Sequence, residues 1–228
     1  MRKILGIIAL FILGTAVMAQ TVDRPEQPDF PGDLSFDIGS NLFLNSPEFM
    51  RTKWWPSHSL GIYYTRGIKL NQHLMFNPSV GFGIERFGFA NRVNFLQDSL
   101  RRFQFDTLRG YDLQMSKLAI TYAEVPFELR YFPVKTIDGD GFFIAIGGVI
   151  GARIDAHTKI KYKMGEDNRM DKSKANFGLN DFRYGVQGRI GWKAINFYYK
   201  MYLSEIYRKA PYGANPTLYT VGINFTGF

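Results

Sequence analysis

Hydrophobic and polar residues alternate with a period of two over several stretches of this chain, most clearly from Phe182 to Leu203. Every second residue from Phe182 to Trp192 is apolar, aromatic or glycine, and the alternation resumes after a turn near Lys193 and Ala194. Strict alternation over about ten residues per strand predicts a β-hairpin. A tilted strand of about ten residues is also long enough to cross a bilayer.

The same alternation predicts eight strands in all. They cover residues 34–44, 58–69, 73–87, 117–132, 141–156, the two halves of 182–203, and 216–228. The connections between them are alternately long and short, as in outer-membrane barrels, which have short periplasmic turns and long extracellular loops. An even number of strands then places both termini in the periplasm. Pro78 and Pro126 fall inside predicted strands and predict bulges there.

A secreted, soluble eight-stranded barrel such as a lipocalin would show the same alternation, with its apolar face turned inward. Three features favour the membrane alternative. The long loops lie on one side, aromatic residues gather near strand ends, and the chain ends in Phe228, like the C-terminal aromatic residue of outer-membrane assembly signals. Phe228 is out of phase with the alternation from Tyr219 to Phe225. The sequence therefore predicts an all-β fold, an eight-stranded antiparallel up-and-down transmembrane β-barrel over residues 34–228.

The N-terminus has the pattern of a targeting segment. Arg2 and Lys3 precede an apolar run from Ile4 to Val17, and Ala19 supplies a small residue before a cleavage site. This pattern predicts a secretory signal peptide at 1–19, with an uncleaved anchor as the alternative. Residues 20–33 contain three prolines and are expected to form an extended N-terminal segment.

The composition narrows the function further. Aromatic residues make up 16% of the chain, as aromatic girdles at the membrane interfaces require, and there is no cysteine. The absence of cysteine excludes thiolate metal sites, disulfides and a cysteine nucleophile. The formal net charge is +8, or +6 without Arg2 and Lys3 of the leader, but the basic residues form no run that predicts nucleic-acid binding.

If the apolar faces meet lipid, the charged residues on the opposite faces point into the barrel. These predicted lumen residues are Asp37, Glu85, Glu124, Glu128, Arg130, Arg153, Asp155, Arg183, Arg189 and Lys200. A barrel of eight strands is just wide enough to be filled by its own side chains. The sequence therefore predicts a cross-braced network of ion pairs in the lumen. A conducting pore is the alternative and would require more strands or smaller lumen residues.

No residue pattern predicts a cofactor or a metal site. The histidines are His58, His73 and His157, and none has a ligand partner at metal-binding spacing. A hydrolase at the outer rim is one alternative function, for which the available residues are His157, Thr158, Asp155 and Ser204. Their spacing follows no catalytic pattern, and we expect the protein not to be an enzyme.

Three lysines alternate beyond the fifth predicted strand: Lys159, Lys161 and Lys163. They belong either to a solvated strand end or to a surface that meets lipopolysaccharide phosphates. Two long loops, 88–116 and 157–180, are the expected contact surfaces, because loops on a rigid scaffold often carry function. The expected partners are outer-membrane lipid, lipopolysaccharide and proteins that bind these loops.

The segment from Tyr122 to Phe132, YAEVPFELRYF, resembles the Tyr-x-Glu-Ile/Val-Pro-x-x-Leu-Lys/Arg-Tyr strand of the PorT-like outer-membrane β-barrel family of Bacteroidota. The glycine-bearing stretch 141–154 and the run 183–191 are similar to that family too. The resemblance implies an integral barrel of the Gram-negative cell envelope without known catalytic residues. Some members of the family take part in type IX secretion and gliding. A structural or interaction role is therefore expected, with an accessory subunit of a secretion or assembly machine as the alternative.

Overall fold

The computed structural model describes residues 32–90, 94–97, 103–106, 112–134, 141–208 and 215–227. The predicted signal peptide 1–19, residues 20–31 and Phe228 lie outside the described residues. The described strands are β1 (Asp33–Leu44), β2 (His58–Thr65), β3 (Ile68–Lys69), β4 (Leu74–Gly88), β5 (Asn94–Gln97), β6 (Phe103–Asp106), β7 (Asp112–Tyr131), β8 (Phe142–Met164), β9 (Asp167–Lys174), β10 (Phe182–Trp192), β11 (Ile195–Tyr202) and β12 (Thr217–Thr226). A short 3₁₀ turn covers Glu48–Met50. No helix in the described ranges is long and apolar enough to cross a membrane.

Eight of these strands form a closed antiparallel ring in the order β1-β2-β4-β7-β8-β10-β11-β12. Pairing of β12 with β1 closes the ring. Each strand therefore has a hydrogen-bonded neighbour on both sides, which removes the unpaired edges of an open sheet. The predicted fold class, an all-β eight-stranded antiparallel barrel, is confirmed. β3 and β9 pair with β4 and β8 respectively, and β5 and β6 form a separate hairpin.

The connections are long at one end of the ring and short at the other. Residues 45–57, 89–111, 165–181 and 203–216 connect ring strands at the long-loop end. Residues 66–73, 132–141 and 193–194 connect them at the short-turn end, where β1 begins and β12 ends. The tightest turn, at Lys193 and Ala194, has Lys193 at a φ of 50°.

Large apolar side chains cover the outside of the ring. Along β10 the exposed residues alternate with buried ones, and Phe182 and Trp192 are 75% and 62% exposed. On the neighbouring β8, Ile146 is 72% exposed. An apolar surface that covers the outside of the ring is typical of a face in contact with lipid, because a soluble barrel turns its apolar face inward.

β7 and β8 continue well beyond the ring at the long-loop end, which the sequence pattern did not predict. β10 pairs with β8 only up to Ala152, whereas β8 continues to Met164 between β7 and β9. Much of the predicted loop 157–180 is therefore strand, and the predicted loop 88–116 contains the β5–β6 hairpin and the start of β7. The alternation of polarity does not reveal these strands, because a strand outside the bilayer requires no continuous apolar face.

The bulges also lie elsewhere than predicted. The register between β4 and β7 is the same on both sides of Pro78, and that between β7 and β8 is unbroken at Pro126. The ladder between β4 and β7 lacks pairs only at Ser79 and Val80. A register shift falls instead where Thr121 faces Asp155 and Tyr122 faces Arg153, so Ile154 is the extra residue. Beyond this bulge, the faces of β8 are exchanged.

Candidate functional site

The interior of the ring contains a layer of ionisable side chains, which we name the charged layer. Its members are Asp37 on β1, Glu85 on β4, Glu124, Glu128 and Arg130 on β7, Arg183 and Arg189 on β10, and Lys200 on β11. All eight are buried. Four are acidic and four are basic, so the layer is electrically balanced. Strict alternation places them inward, since their strand neighbours carry the apolar outer surface.

Arg183 is the centre of one half of the charged layer. Its Nη2 atom lies 2.6 Å from Glu124 and 3.0 Å from Glu85. The guanidinium is also held between two aromatic rings, with Cζ 3.7 Å from the centroid of Tyr122 and 4.3 Å from that of Tyr202. A buried charge requires such partners, because the barrel interior provides little bulk water to solvate it.

The other half of the charged layer is a chain of alternating charges. Lys200 donates to Asp37 at 2.7 Å, and Arg189 lies 3.5 Å from the same carboxylate. Arg189 is also 3.0 Å from Glu128, which in turn pairs with Arg130 at 2.6 Å. Each interior carboxylate in this half therefore lies between two cations.

Tyr63 joins the two halves. Its hydroxyl donates to Glu124 at 2.6 Å and lies 3.3 Å from Nζ of Lys200. The Arg183 half has one cation and two carboxylates, whereas the Lys200 half has three cations and two carboxylates. The link through Tyr63 therefore brings together two groups of opposite net charge.

Uncharged polar residues satisfy the remaining oxygens of the carboxylates. Asn41 donates to Glu85 at 2.6 Å, and Thr220 donates to Asn41 at 2.8 Å. Asn224 donates to Asp37 at 2.7 Å. These amides were not among the predicted lumen residues, all of which are charged. The alternation of polar and apolar residues could have identified both amides as lumen residues, because Asn41 precedes the outward Leu42 and Asn224 follows the outward Ile223.

Apolar clusters lie on both sides of the charged layer. At the long-loop end, Phe43 stacks on Phe87 at 4.6 Å between ring centroids, within a buried cluster that includes Leu118, Ile120 and Tyr207. At the short-turn end, a second buried cluster comprises Met75, Phe132, Phe143 and Ala145. In the described part of the chain, side chains thus occupy the interior from one end to the other.

Two of the ten predicted lumen residues lie apart from the charged layer. Arg153 points inward opposite Tyr122 but bonds at the rim to Asp181 and to Asn176. Asp155 lies on the outer face, where it pairs with His157 at 3.1 Å and Lys174 at 2.5 Å. Its inward placement was wrong because the bulge at Ile154 exchanges the faces of β8, and no sequence signal marked that bulge.

The residues considered for a hydrolase are not brought together. His157 and Asp155 are hydrogen bonded to each other on the outer face. Thr158 lies on the opposite, buried face of β8. Ser204 follows β11 and accepts a bond from the backbone of Tyr184. Among the described residues, no three His, Asp or Glu side chains are grouped as metal ligands.

A closed eight-stranded antiparallel ring, apolar outside and polar inside, defines the class of integral outer-membrane β-barrels. The sequence profile described as "Outer membrane protein beta-barrel domain" matches residues 27–206, more than half of the 228 residues. The chain therefore belongs to this family, and it is an outer-membrane protein.

Solved structures with a similar fold have very different sequences. Two crystal structures of Ail, the attachment invasion locus protein of Yersinia pestis, are 12% and 10% identical, with TM-scores of 0.35 and 0.37. Both likenesses cover 87% of this chain and 100% of Ail, and one Ail crystal contains the heparin analogue sucrose octasulfate. CarO of Acinetobacter baumannii is 9% identical, with a TM-score of 0.29 and coverage of 84% and 97%. No curated protein matches the chain. Similarities with such low sequence identities and TM-scores give no information about function.

Proposed function

We propose that this protein is a closed outer-membrane barrel with an interaction role rather than a channel or an enzyme. The binding surface is the sheet of β7, β8 and β9 that projects beyond the ring at the long-loop end. The observation that carries this proposal is the continuation of β8 from His157 to Met164, where it pairs with β7 and β9 but not with β10. The filled interior supports the closed state.

The projecting sheet has the physical character of a binding surface. Hydrogen bonds on both sides fix β8 within it, so the sheet is a more rigid platform than an irregular loop. All eight residues of β9 are exposed. Charged side chains on β9 protect its outer edge against unspecific strand pairing, while they remain available to a specific partner.

The proposal includes an orientation and a processing step. The signal peptide 1–19 directs the chain to the periplasm and is then cleaved off. Both termini of the mature chain remain in the periplasm, and the long-loop end faces the outside. The resemblance of 122–132 to the PorT-like family of Bacteroidota supports membership in that narrower group. An accessory role in a secretion or envelope assembly machine is the second candidate, and the same resemblance favours it.

Single-cysteine variants test the orientation and the binding surface together, because the chain contains no cysteine. We expect a membrane-impermeant maleimide to label N168C, on β9, in intact cells. K193C, in the short turn, should be labelled only after the outer membrane is permeabilised. A thiol cross-linker attached at N168C should recover the same partner repeatedly, and one attached at K193C should not. Labelling of K193C in intact cells would refute the orientation.

Liposome flux tests the closed state. Purified protein reconstituted in liposomes should admit a small sugar no faster than protein-free liposomes do, whereas a general porin should equilibrate the sugar quickly. Sugar entry at a rate proportional to the amount of protein would show a pore and contradict the proposed closed barrel.

A further inference from the structure

One edge of the projecting sheet is open. β9 pairs with β8 along its whole length, from Asp167 opposite Met164 to Lys174 opposite His157. In the described part of the chain, no strand pairs with the other side of β9. The side chains of β9 are all exposed. An open strand edge presents unpaired N–H and C=O groups, which a second extended chain can satisfy.

The charges along β9 make this strand complementary to a second copy of itself. When two identical strands pair antiparallel about a two-fold axis, residues at equal distances from the axis face each other. With the axis at Met170, Arg169 of each copy faces Asp171 of the other. Opposite charges that face each other across two strands stabilise their pairing. The next pairs contain no like charges: Asn168 with Lys172, and Asp167 with Ser173.

Neighbouring registers place like charges opposite each other. Paired residues must point to the same face of the sheet, so the two-fold axis must pass through a residue position. An axis at Arg169 would place this arginine opposite its own copy, and Asp167 opposite Asp171. An axis at Asp171 would place this aspartate opposite its own copy. Axes farther along the strand pair fewer residues, so the register centred on Met170 is the favoured one.

The lysines of the projecting sheet are compatible with this register. Lys172 faces the uncharged Asn168 of the second copy, and the next lysine in that row is Lys163 on the β8 strand of that copy. Neighbouring strands are about 4.8 Å apart, so the two lysines are separated by about 10 Å. This separation is about one Debye length at 0.1 M salt, and the repulsion between exposed charges is largely screened there.

The direction of β9 determines where the second copy lies. Lys174 pairs with His157, and Asp167 pairs with Met164 near the far end of β8, so β9 runs back toward the ring. Barrels of the same orientation in one membrane are related by rotation about the membrane normal, which does not reverse the direction of a strand along that normal. An antiparallel partner is therefore an inverted barrel, which belongs to a second membrane that faces the first.

The projecting sheet extends far enough for such a contact. Met170 lies opposite Lys161, which is nine residues beyond Ala152, where the pairing of β8 with β10 ends. Nine strand residues span about 30 Å. The contact at Met170 therefore lies well outside the closed ring, and two facing barrels can meet there through their projecting sheets.

We propose that β9 binds β9 of a second copy in the outer membrane of a neighbouring cell, as an antiparallel pair about a two-fold axis at Met170. The pairing joins two projecting sheets into one continuous sheet. This inference rests on the proposed function, since it requires the long-loop end to face the outside, and it names the partner of the projecting sheet. Each pairing is a small contact, so adhesion depends on many copies in each membrane.

The test is the aggregation of phosphatidylcholine vesicles that carry the purified protein, followed by light scattering. Vesicles with the parent protein should aggregate, and protein-free vesicles should not. R169D and D171R each place like charges opposite each other at two positions. Either variant alone should weaken the pairing roughly 30-fold and abolish aggregation at the protein density at which the parent aggregates. The control R66D makes the same charge change at an exposed residue of the short-turn end and should aggregate like the parent.

A mixture of R169D vesicles and D171R vesicles tests the register itself. The introduced aspartate of one variant then faces the introduced arginine of the other, and the native Asp171 and Arg169 face each other as well. The mixture should aggregate like the parent although neither variant does so alone, and its recovery shows that both variants are folded. Oxidised M170C vesicles should form disulfide-linked dimers, because the two Met170 positions face each other, and K193C vesicles should form none.

Parent vesicles that stay apart would overturn the inference. So would a mixture of R169D and D171R that stays apart under conditions in which the parent aggregates. Either result would leave the labelling and flux tests of the proposed function unaffected, since neither of these tests requires the partner to be a second copy. Labelling of K193C in intact cells, by contrast, would refute the orientation on which both proposals depend.

Discussion

Replacement of Arg183 by methionine is the most direct test of the charged layer. Methionine keeps much of the side-chain volume between Tyr122 and Tyr202 but removes the charge that pairs with Glu85 and Glu124. Both carboxylates would then remain buried with one cation fewer. We expect R183M to fold less stably than the parent barrel, because the remaining hydrogen-bond partners of these carboxylates, Asn41, Tyr63 and Tyr202, carry no charge.

The magnitude follows from the geometry. At an effective dielectric constant of about 20, an ion pair at 3.0 Å is worth about 5.5 kcal/mol of Coulomb attraction. The desolvation of each buried ion costs several kcal/mol and offsets most of this attraction in the parent. The loss of one partner from a buried pair removes the attraction but leaves the other ion desolvated, which typically costs about 3–5 kcal/mol. We therefore expect R183M to lower the free energy of unfolding by about 3–5 kcal/mol.

The assay is reversible urea unfolding of the barrel in lipid vesicles, followed by tryptophan fluorescence. The triple variant R183M/E85Q/E124Q removes the unpaired charges and should recover most of the lost stability. The exposed variant R66M should stay within about 0.5 kcal/mol of the parent. If R183M were as stable as R66M, or if the triple variant were no more stable than R183M, the reasoning about buried charge would be refuted.

Three further predictions concern other parts of the barrel. G147A should destabilise the barrel by about 1–3 kcal/mol in the same urea assay, because the added Cβ would lie 2.0 Å from a backbone oxygen. G188A should be tolerated, because the atom nearest to its added Cβ is 3.8 Å away. The hydrogen bond from Arg153 lowers the pKa of Asp181. The ionised Asp181 therefore stabilises the folded barrel fully above the ordinary Asp pKa of about 3.9. This stabilisation is lost as the pH falls through the lowered pKa. The stability difference between parent and D181N should therefore shrink in acid. Trp192 should lie at the membrane interface, and brominated lipids should quench its fluorescence.

Each of these predictions has an outcome that would contradict it. Equal unfolding midpoints for G147A and G188A would show that the strands move apart without cost. A difference between parent and D181N that grows in acid would mean that this carboxylate is not stabilised in its charged form. For Trp192, a variant in which the other tryptophans are replaced by phenylalanine isolates the signal, and unchanged emission in brominated lipid would place the ring in water.

The sequence was sufficient to predict the strands that cross the bilayer and which face of each strand most residues occupy. The alternation in 182–203 located β10 and β11 to within a residue or two, since lipid on one side and a filled lumen on the other impose opposite polarity on neighbouring positions. The same alternation placed Arg183, Arg189 and Lys200 inside. It was not sufficient beyond the bilayer, where both faces of β9 are solvated and no polarity difference marks a strand.

By itself, therefore, the sequence determined which side of the wall most charged residues occupy, because side-chain direction is a local property of an extended backbone. Only the tertiary structure decided which of them meet. Lys200 and Asp37 are 163 positions apart, and Arg183 and Glu85 are 98 apart. Their heights inside the barrel depend on the register of every strand pair around the closed ring. The direction of Asp155 depends on one extra residue at Ile154, which turned it outward.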